Sequence, residues 1–152
     1  MLTTRRATPA DASLIAAHRR AMFQAMGSAS PPVLDDMARN FEPWLLPRLR
    51  DGRYLGWITE QDARPVASAG MMFVDWPPHP LHPADSLRGY ILNVFVDADC
   101  RRRGIARALV ECCLNEARRR NLQVVTLHAS SDGLPLYESM GFRIGNEMQL
   151  VL

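Results

Sequence analysis

The chain has 152 residues, 47% hydrophobic and 22% charged, which is one domain's length with enough apolar content for a packed core and excludes a disordered chain. Eighteen basic against sixteen acidic residues leave a net charge of +2, too little for a protein that works on bulk nucleic acid. No stretch approaches the apolar run needed to span a bilayer, and the opening MLTTRRATPADASL lacks the apolar core of a secretory signal. Cys100, Cys112 and Cys113 form no even framework and no CxxC or His/Cys cluster, so the expectation is reduced thiols in a cytoplasm and no metal site. All 18 basic residues are arginine, so no internal lysine amine is available as an acceptor.

In chain order, Leu2 to Arg6 reads as a first strand. Pro9, Asp11 and Ser13 open a helix that carries Leu14, Ile15, Ala17, Met22 and Met26 to a C-cap at Gly27. A second helix spans Val33 to Arg50, with Met37, Phe41, Trp44 and Leu45 at helical spacing; Pro43 and Pro47 are expected to kink or split it. Tyr54 to Thr59 and Val66 to Val74 read as strands joined through a turn at Gln61–Pro65. The proline-rich segment Asp75 to Ser86 reads as an irregular surface loop. Tyr90 to Val96, a helix from Gly104 to Arg120, a strand at Val124–Ala129, a short helix at Leu134–Met140 and a final strand at Glu147–Leu152 complete a mixed α/β order in one domain, 1–152.

The chemistry concentrates at VFVDADCRRRGIARAL, Val94 to Leu109. Arg101, Arg102, Arg103 and Arg107 crowd a helix start, where the macrodipole favours anions instead. The conflict disappears if an anion sits there, held by the free N–H groups of the first turn and the flanking guanidiniums. Gly104 lets the backbone approach closely, and Ala106 keeps the next turn small. A solvated basic turn is the plain alternative. The loop has neither the Walker nor the GxGxxG pattern.

The strand YILNVFV, the turn DADC, the loop RRRGIA as Arg/Gln-x-x-Gly-x-Gly/Ala, the strand VVTLHAS and the tail LPLYESMGF together resemble the GCN5-related N-acetyltransferase (GNAT) family. The resemblance implies a central, twisted mixed β-sheet flanked by helices, with a V-shaped splay after strand 4. Acetyl-CoA would lie in that opening and leave as CoA. The backbone of Val94, Phe95 and Val96 would bond the pantetheine arm, with an amide near Val94–Phe95 polarising the carbonyl. The pyrophosphate would fall to the amides of Arg102, Arg103, Gly104, Ile105, Ala106 and Arg107, and Arg101 fills a cofactor-binding position often held by Gln or Arg. Ser130 stands where the family often has an Asn that bonds the pantetheine. Tyr137 occupies the position of a tyrosine that protonates the leaving thiolate.

The general base is open, because YILNVFV carries no carboxylate. Asn93 is the candidate for orienting a water; Glu147, Asp75, His79, His82, Asp85 and His128 are further candidates. Of these, His128 reads as a core histidine and Glu147 as an edge carboxylate. In this fold the acceptor pocket would draw its apolar wall from Met22, Phe23, Met26, Phe41, Trp44 and Trp76, with Trp76–His82 as a lid. The expected partner is an amine, small molecule or peptide, with no nucleic acid and no membrane. A homodimer follows if the final strand lacks a partner within the monomer. The second functional reading is a non-catalytic acyl-CoA-binding or sensing module. An intact Tyr137 argues against it and the missing strand carboxylate argues for it. Nucleic-acid binding through Arg101–Arg103 and Arg118–Arg120 fails because the two runs lie about 25 Å apart along one helix.

Overall fold

The computed structural model describes all residues, 1–152. Its elements are β1 (Leu2–Arg6), a 3-10 turn at Pro9–Asp11, α1 (Ala12–Met26), α2 (Pro31–Asp51), β2 (Tyr54–Gln61), β3 (Arg64–Asp75), β4 (Leu87–Val96), α3 (Ile105–Arg119), β5 (Val125–Leu127) and α4 (Leu134–Ser139). The five strands form one sheet in the order β1-β2-β3-β4-β5. Neighbours are antiparallel except β4 and β5, which run parallel.

Each half of the sequence covers one face of the sheet. α1 and α2 bury Ile15, Phe41 and Leu45 with Tyr54 on one side. α3 packs Ile105, Leu109, Val110 and Cys113 against Val66, Met71 and Ile91 on the other, with Tyr137 of α4 in the same cluster. The β2–β3 hairpin turns on Asp62 and Ala63, both at positive φ (50° and 67°), as a two-residue turn between twisted strands requires. On β1, Arg5 clamps Asp11 through two hydrogen bonds and reaches Glu60, and Asp11 falls to a pKa of about 2 through that guanidinium.

Two expectations fail in the first half of the chain and in its tail. α2 is one helix despite Pro43 and Pro47. Both rings lie on its exposed side, so the carbonyls that they leave unbonded, those of Arg39 and Pro43, are on the solvent side and water can take them. The final strand at Glu147–Leu152 does not form. Past Phe142 the backbone has no strand partner, and Ile144, Met148, Leu150, Val151 and Leu152 are all exposed. The alternation there is real, but a strand needs a ladder and this segment meets none within the chain.

The sheet's centre is tightest at Gly70. Tyr54, fully buried, lays its ring across this position, and a Cβ on Gly70 would sit 1.9 Å from the Tyr54 hydroxyl. We expect Gly70→Ala to lower unfolding free energy by about 3 kcal/mol in urea melts, the upper range for overpacking.

Candidate functional site

The site begins where β4 and β5 part. β5 pairs only with Gly89, Tyr90 and Ile91, and then its last residue, Leu127, is reached. β4 runs on to Val96, so the β5-facing edge of Leu92–Val96 has no partner strand. A bulge sharpens the divergence: Gly70 pairs with Leu92 and Ser68 with Phe95, so Asn93 and Val94 together oppose Ala69. Asn93 takes the left-handed conformation there, at φ 57°, a position that Asn tolerates better than most residues.

The Asn93 amide is held at both ends. Its Oδ1 accepts from Arg19 Nη1 at 2.7 Å, and its Nδ2 donates to the Tyr54 hydroxyl at 3.0 Å. The side chain is 3% exposed. The geometry therefore makes Asn93 the residue that fixes the bulge, and this constrains where any water it orients would stand. His18 of α1 supports the same strand, with Nδ1 2.8 Å from Ser68 Oγ and its ring on Phe95. Burial pushes the His18 pKa down and keeps the imidazole neutral.

At the far end of β4, the turn leads to the start of α3. Gly104 is the N-cap at φ 77°, without a side-chain cap, and the first turn contains no acidic residue. The first intrahelical bond there runs from the Ala108 N–H to Gly104 O, so the amides of Ile105, Ala106 and Arg107 have no helical acceptor. The local carboxylates, Asp97 and Asp99, are both taken by Arg64 (3.2 and 3.3 Å). Arg101, Arg103 and Arg107 instead reach uncharged oxygens: Val96 O, Gln61 Oε1 and Ser139 Oγ. Arg102 is exposed at φ 60°. Uncompensated guanidiniums around free helix amides are chemically suited to an anion. Ile105 contributes its amide alone, since its side chain is buried in the core.

Across the opening, the Ser130 hydroxyl accepts the Gly133 N–H at 3.1 Å and starts α4, leaving its own proton to donate. Gly133 in turn packs on the ring of Tyr137, so Ser130, Gly133 and Tyr137 form one cluster. Tyr137 is 8% exposed and stands edge-on to Phe142. Burial, and then Cys113, push its phenol pKa up, so it holds its proton at neutral pH.

The histidine candidates separate cleanly. His82 is fully buried in the 76–86 loop; its Nδ1 faces Asp85 O and its Nε2 accepts from Arg88 Nε, so both nitrogens are engaged in the loop. His79 Nδ1 accepts the Leu81 N–H, Asp85 Oδ1 the Ser86 N–H, and Asp75 ends β3 on the surface. His128 is no core histidine: it lies one residue beyond β5, exposed, because that strand is shorter than its apolar run. Its Nδ1 bonds the Tyr90 hydroxyl and its Nε2 meets Glu147 Oε2 at 3.2 Å.

The sheet's α1/α2 face carries a cavity of about 290 Å³ lined by Arg19, Phe41, Trp44, Met72 and Leu92. Of the expected wall, Phe41 and Trp44 line it, and Phe23 sits 5.0 Å from the Arg19 guanidinium. Met22 does not line it, Met26 is exposed, and Trp76 is under Arg88 in the loop. Arg19, Met72 and Leu92 escaped the sequence reading. Arg19 was findable, since it lies four residues after buried Ile15 on the inward stripe of α1.

An open mixed sheet whose fourth strand diverges beside a basic helix start defines an acyl-CoA-type transferase fold, and comparison with known proteins agrees. The profile of the acetyltransferase (GNAT) family matches residues 16–142, and the chain belongs to that family. It is similar to the crystal structure of a GCN5-related N-acetyltransferase from Ralstonia eutropha JMP134, with TM-score 0.96 and 40% identity, covering 100% of this chain and 99% of that one. It is also similar to a predicted acetyltransferase from Clostridium acetobutylicum solved with acetyl-CoA (TM-score 0.91, 27% identity, 100% and 96% covered). Human N-acetyltransferase 8 is 33% identical over 90 residues, a match that spans 57% of this chain and 37% of that protein. No helix is long and apolar enough to cross a membrane.

Removing the bulge's anchor tests this geometry. Asn93→Ala orphans the buried Tyr54 hydroxyl and a second Arg19 donor, and we expect a loss of about 3 kcal/mol in unfolding free energy. Tyr54→Phe, which removes one end only, costs about 1 kcal/mol.

Proposed function

We propose that this protein transfers an acetyl group from acetyl-CoA directly to an amine. The observation that supports it most is the unpaired β4 edge at Leu92–Val96 leading straight to uncompensated positive charge at the start of α3. The residues present fit the cofactor. The backbone of Val94, Phe95 and Val96 offers strand-like partners to its amide-bearing arm. Arg101, Arg102, Arg103 and Arg107, with the amides of Gly104, Ile105 and Ala106, bind its pyrophosphate. Ser130 donates to the arm from the opposite wall. Acetyl-CoA supplies an activated thioester carbonyl when bound.

Tyr137 is the general acid. A phenol kept protonated by burial delivers its proton to the departing sulfur, which prevents the thiolate from reversing the reaction. Asn93 holds the bulge, and with it the amide near Val94–Phe95 that polarises the carbonyl. The proton lost by the amine leaves through Tyr90, His128 and Glu147. Tyr90 lies two residues before Leu92 on the pocket face of β4 and is paired with Met72. Its oxygen receives the proton as its own moves to His128 Nδ1; Glu147 stabilises the resulting imidazolium, and exposed His128 releases the proton to water. Three unpaired cysteines fit a reducing cytoplasm as its compartment.

Purified protein should bind acetyl-CoA one to one in titration calorimetry and release free thiol on addition of an amine. Tyr137→Phe should lower kcat by about a hundredfold while acetyl-CoA still binds. Full turnover by Tyr137→Phe would remove the acid role. Binding of acetyl-CoA with every amine refused would make the protein an acyl-CoA sensor instead.

We also propose that residues 143–152 pair with a second copy. The chain carries an unpaired, alternating apolar segment and, on β5, a sheet edge without a partner. Beside that edge lies a groove of about 440 Å³ lined in part by Leu81, Leu114, Val125, Met140 and Phe142. Each copy thus supplies both halves of a sheet extension, which a two-fold dimer satisfies twice. Light scattering should report a dimer that Leu150→Asp converts to monomer; a monomeric wild type would contradict it.

A further inference from the structure

Arg19 is a cation without an anion. It projects from α1 toward the sheet, with its guanidinium 5.0 Å from the Phe23 ring and 4.8 Å from the Phe41 ring. Of its five N–H donors, the chain engages one, Nη1, on the neutral Asn93 amide. Its Nε is out of reach of water and has no hydrogen-bond partner, the one buried side-chain polar atom in the molecule left so. The titratable side chains that act on it are Tyr54 and Tyr90, both neutral phenols, with no carboxylate among them, and burial pushes the Arg19 pKa down. Holding a desolvated guanidinium with no counter-charge is unfavourable, and a helix-face arginine elsewhere in this protein, Arg20, finds Asp35 at 2.8 Å.

The surroundings say what completes it. Besides Arg19, every wall of the 290 Å³ cavity is apolar: Phe41, Trp44, Met72 and Leu92. Leu92 adjoins Asn93 at the bulge, where the acetyl carbonyl is expected. A ligand filling this cavity meets one cationic fork among hydrophobic side chains, with the reacting centre at one end. The Nε side is sealed from the cavity, so the donors left for a ligand are those of Nη2 and the second proton of Nη1, which have no protein acceptor and suit a carboxylate.

Resting on the acetyltransferase reading, we infer that the acceptor is a zwitterionic amine, an amino acid or amino-acid-like compound with an apolar side chain, and that Arg19 selects it by binding its carboxylate. The amino group then faces the bulge and Tyr90, and the side chain lies against Phe41, Trp44 and Met72. Simple amines lack the group that Arg19 requires and leave it desolvated and unpaired.

The test compares matched acceptors by thiol release: L-phenylalanine, L-leucine and L-methionine against phenethylamine, 3-methylbutylamine and 3-methylthiopropylamine. The expected kcat/KM is higher for the carboxylate series by about tenfold or more, most of it in KM. In Arg19→Gln that ratio should fall by about tenfold, with Arg19→Lys between the two. Because both acceptor series are compared within one protein, the ratio cancels damage passed through Asn93 to the β4 bulge, and calorimetry with acetyl-CoA on each protein reports the size of that damage. Equal or better turnover of the carboxylate-free amines by the wild type overturns the inference without needing any variant. So does a ratio unchanged in Arg19→Gln, or acetyl-CoA binding with neither series acetylated. Failure of the wild type to bind acetyl-CoA overturns the acetyltransferase reading itself.

Discussion

The separation of β4 from β5 is the constraint on which the rest of the molecule depends. Three residue pairs hold the strands together, and five further residues of β4 continue alone. In a closed sheet those backbone groups would be spent on a neighbour. Here the side of this stretch turned away from β3 meets no strand at the middle of the domain, with Val96 O taken by Arg101 instead, a costly arrangement unless something else uses the rest. The bulge at Asn93 maintains it, and the Arg19–Asn93–Tyr54 chain maintains the bulge. Gly70 makes room for Tyr54. One glycine, one tyrosine and one left-handed asparagine therefore set the geometry of a cleft whose walls come from both ends of the sequence.

Positive charge is distributed by the same logic. Most arginines outside the cleft find carboxylates: Arg5 with Asp11 and Glu60, Arg64 with Asp97 and Asp99, Arg119 and Arg120 with Glu116. Those facing it bond neutral oxygens instead, at the start of α3 and at Arg19. The two groups lie at opposite ends of the exposed β4 edge. We propose that one takes the phosphates of a nucleotide-bearing cofactor and the other the carboxylate of an acceptor, with Tyr137 as the proton donor and Tyr90 as the proton exit. Guanidinium rather than ammonium suits both ends, since it forks onto two oxygens and tolerates partial burial.

Much of this was legible in the residues. The strand Tyr90–Val96 and the basic helix start at Gly104 are local signals, and local physics decides them. What escaped depended on distant partners. The prolines of α2 predicted a break, but both rings face outward and the helix continues. The alternation at Met148, Leu150 and Leu152 predicted a strand, yet no ladder reaches it within one chain. His128 read as core because its strand is apolar, and it lies outside because β5 ends at Leu127. Arg19 sits on a stripe that periodicity marks as buried, but its lack of a counter-ion appears only once α1, α2 and β4 are assembled around it.

Amide hydrogen exchange with and without acetyl-CoA tests the central claim most directly, because it reads the β4 edge and the α3 start separately in one experiment. The account predicts slowed exchange at Val94–Val96 and at Ile105–Arg107 on addition of acetyl-CoA, with β1 and the 143–152 segment unchanged. Protection spread evenly over the chain, or confined to residues away from both segments, would contradict it.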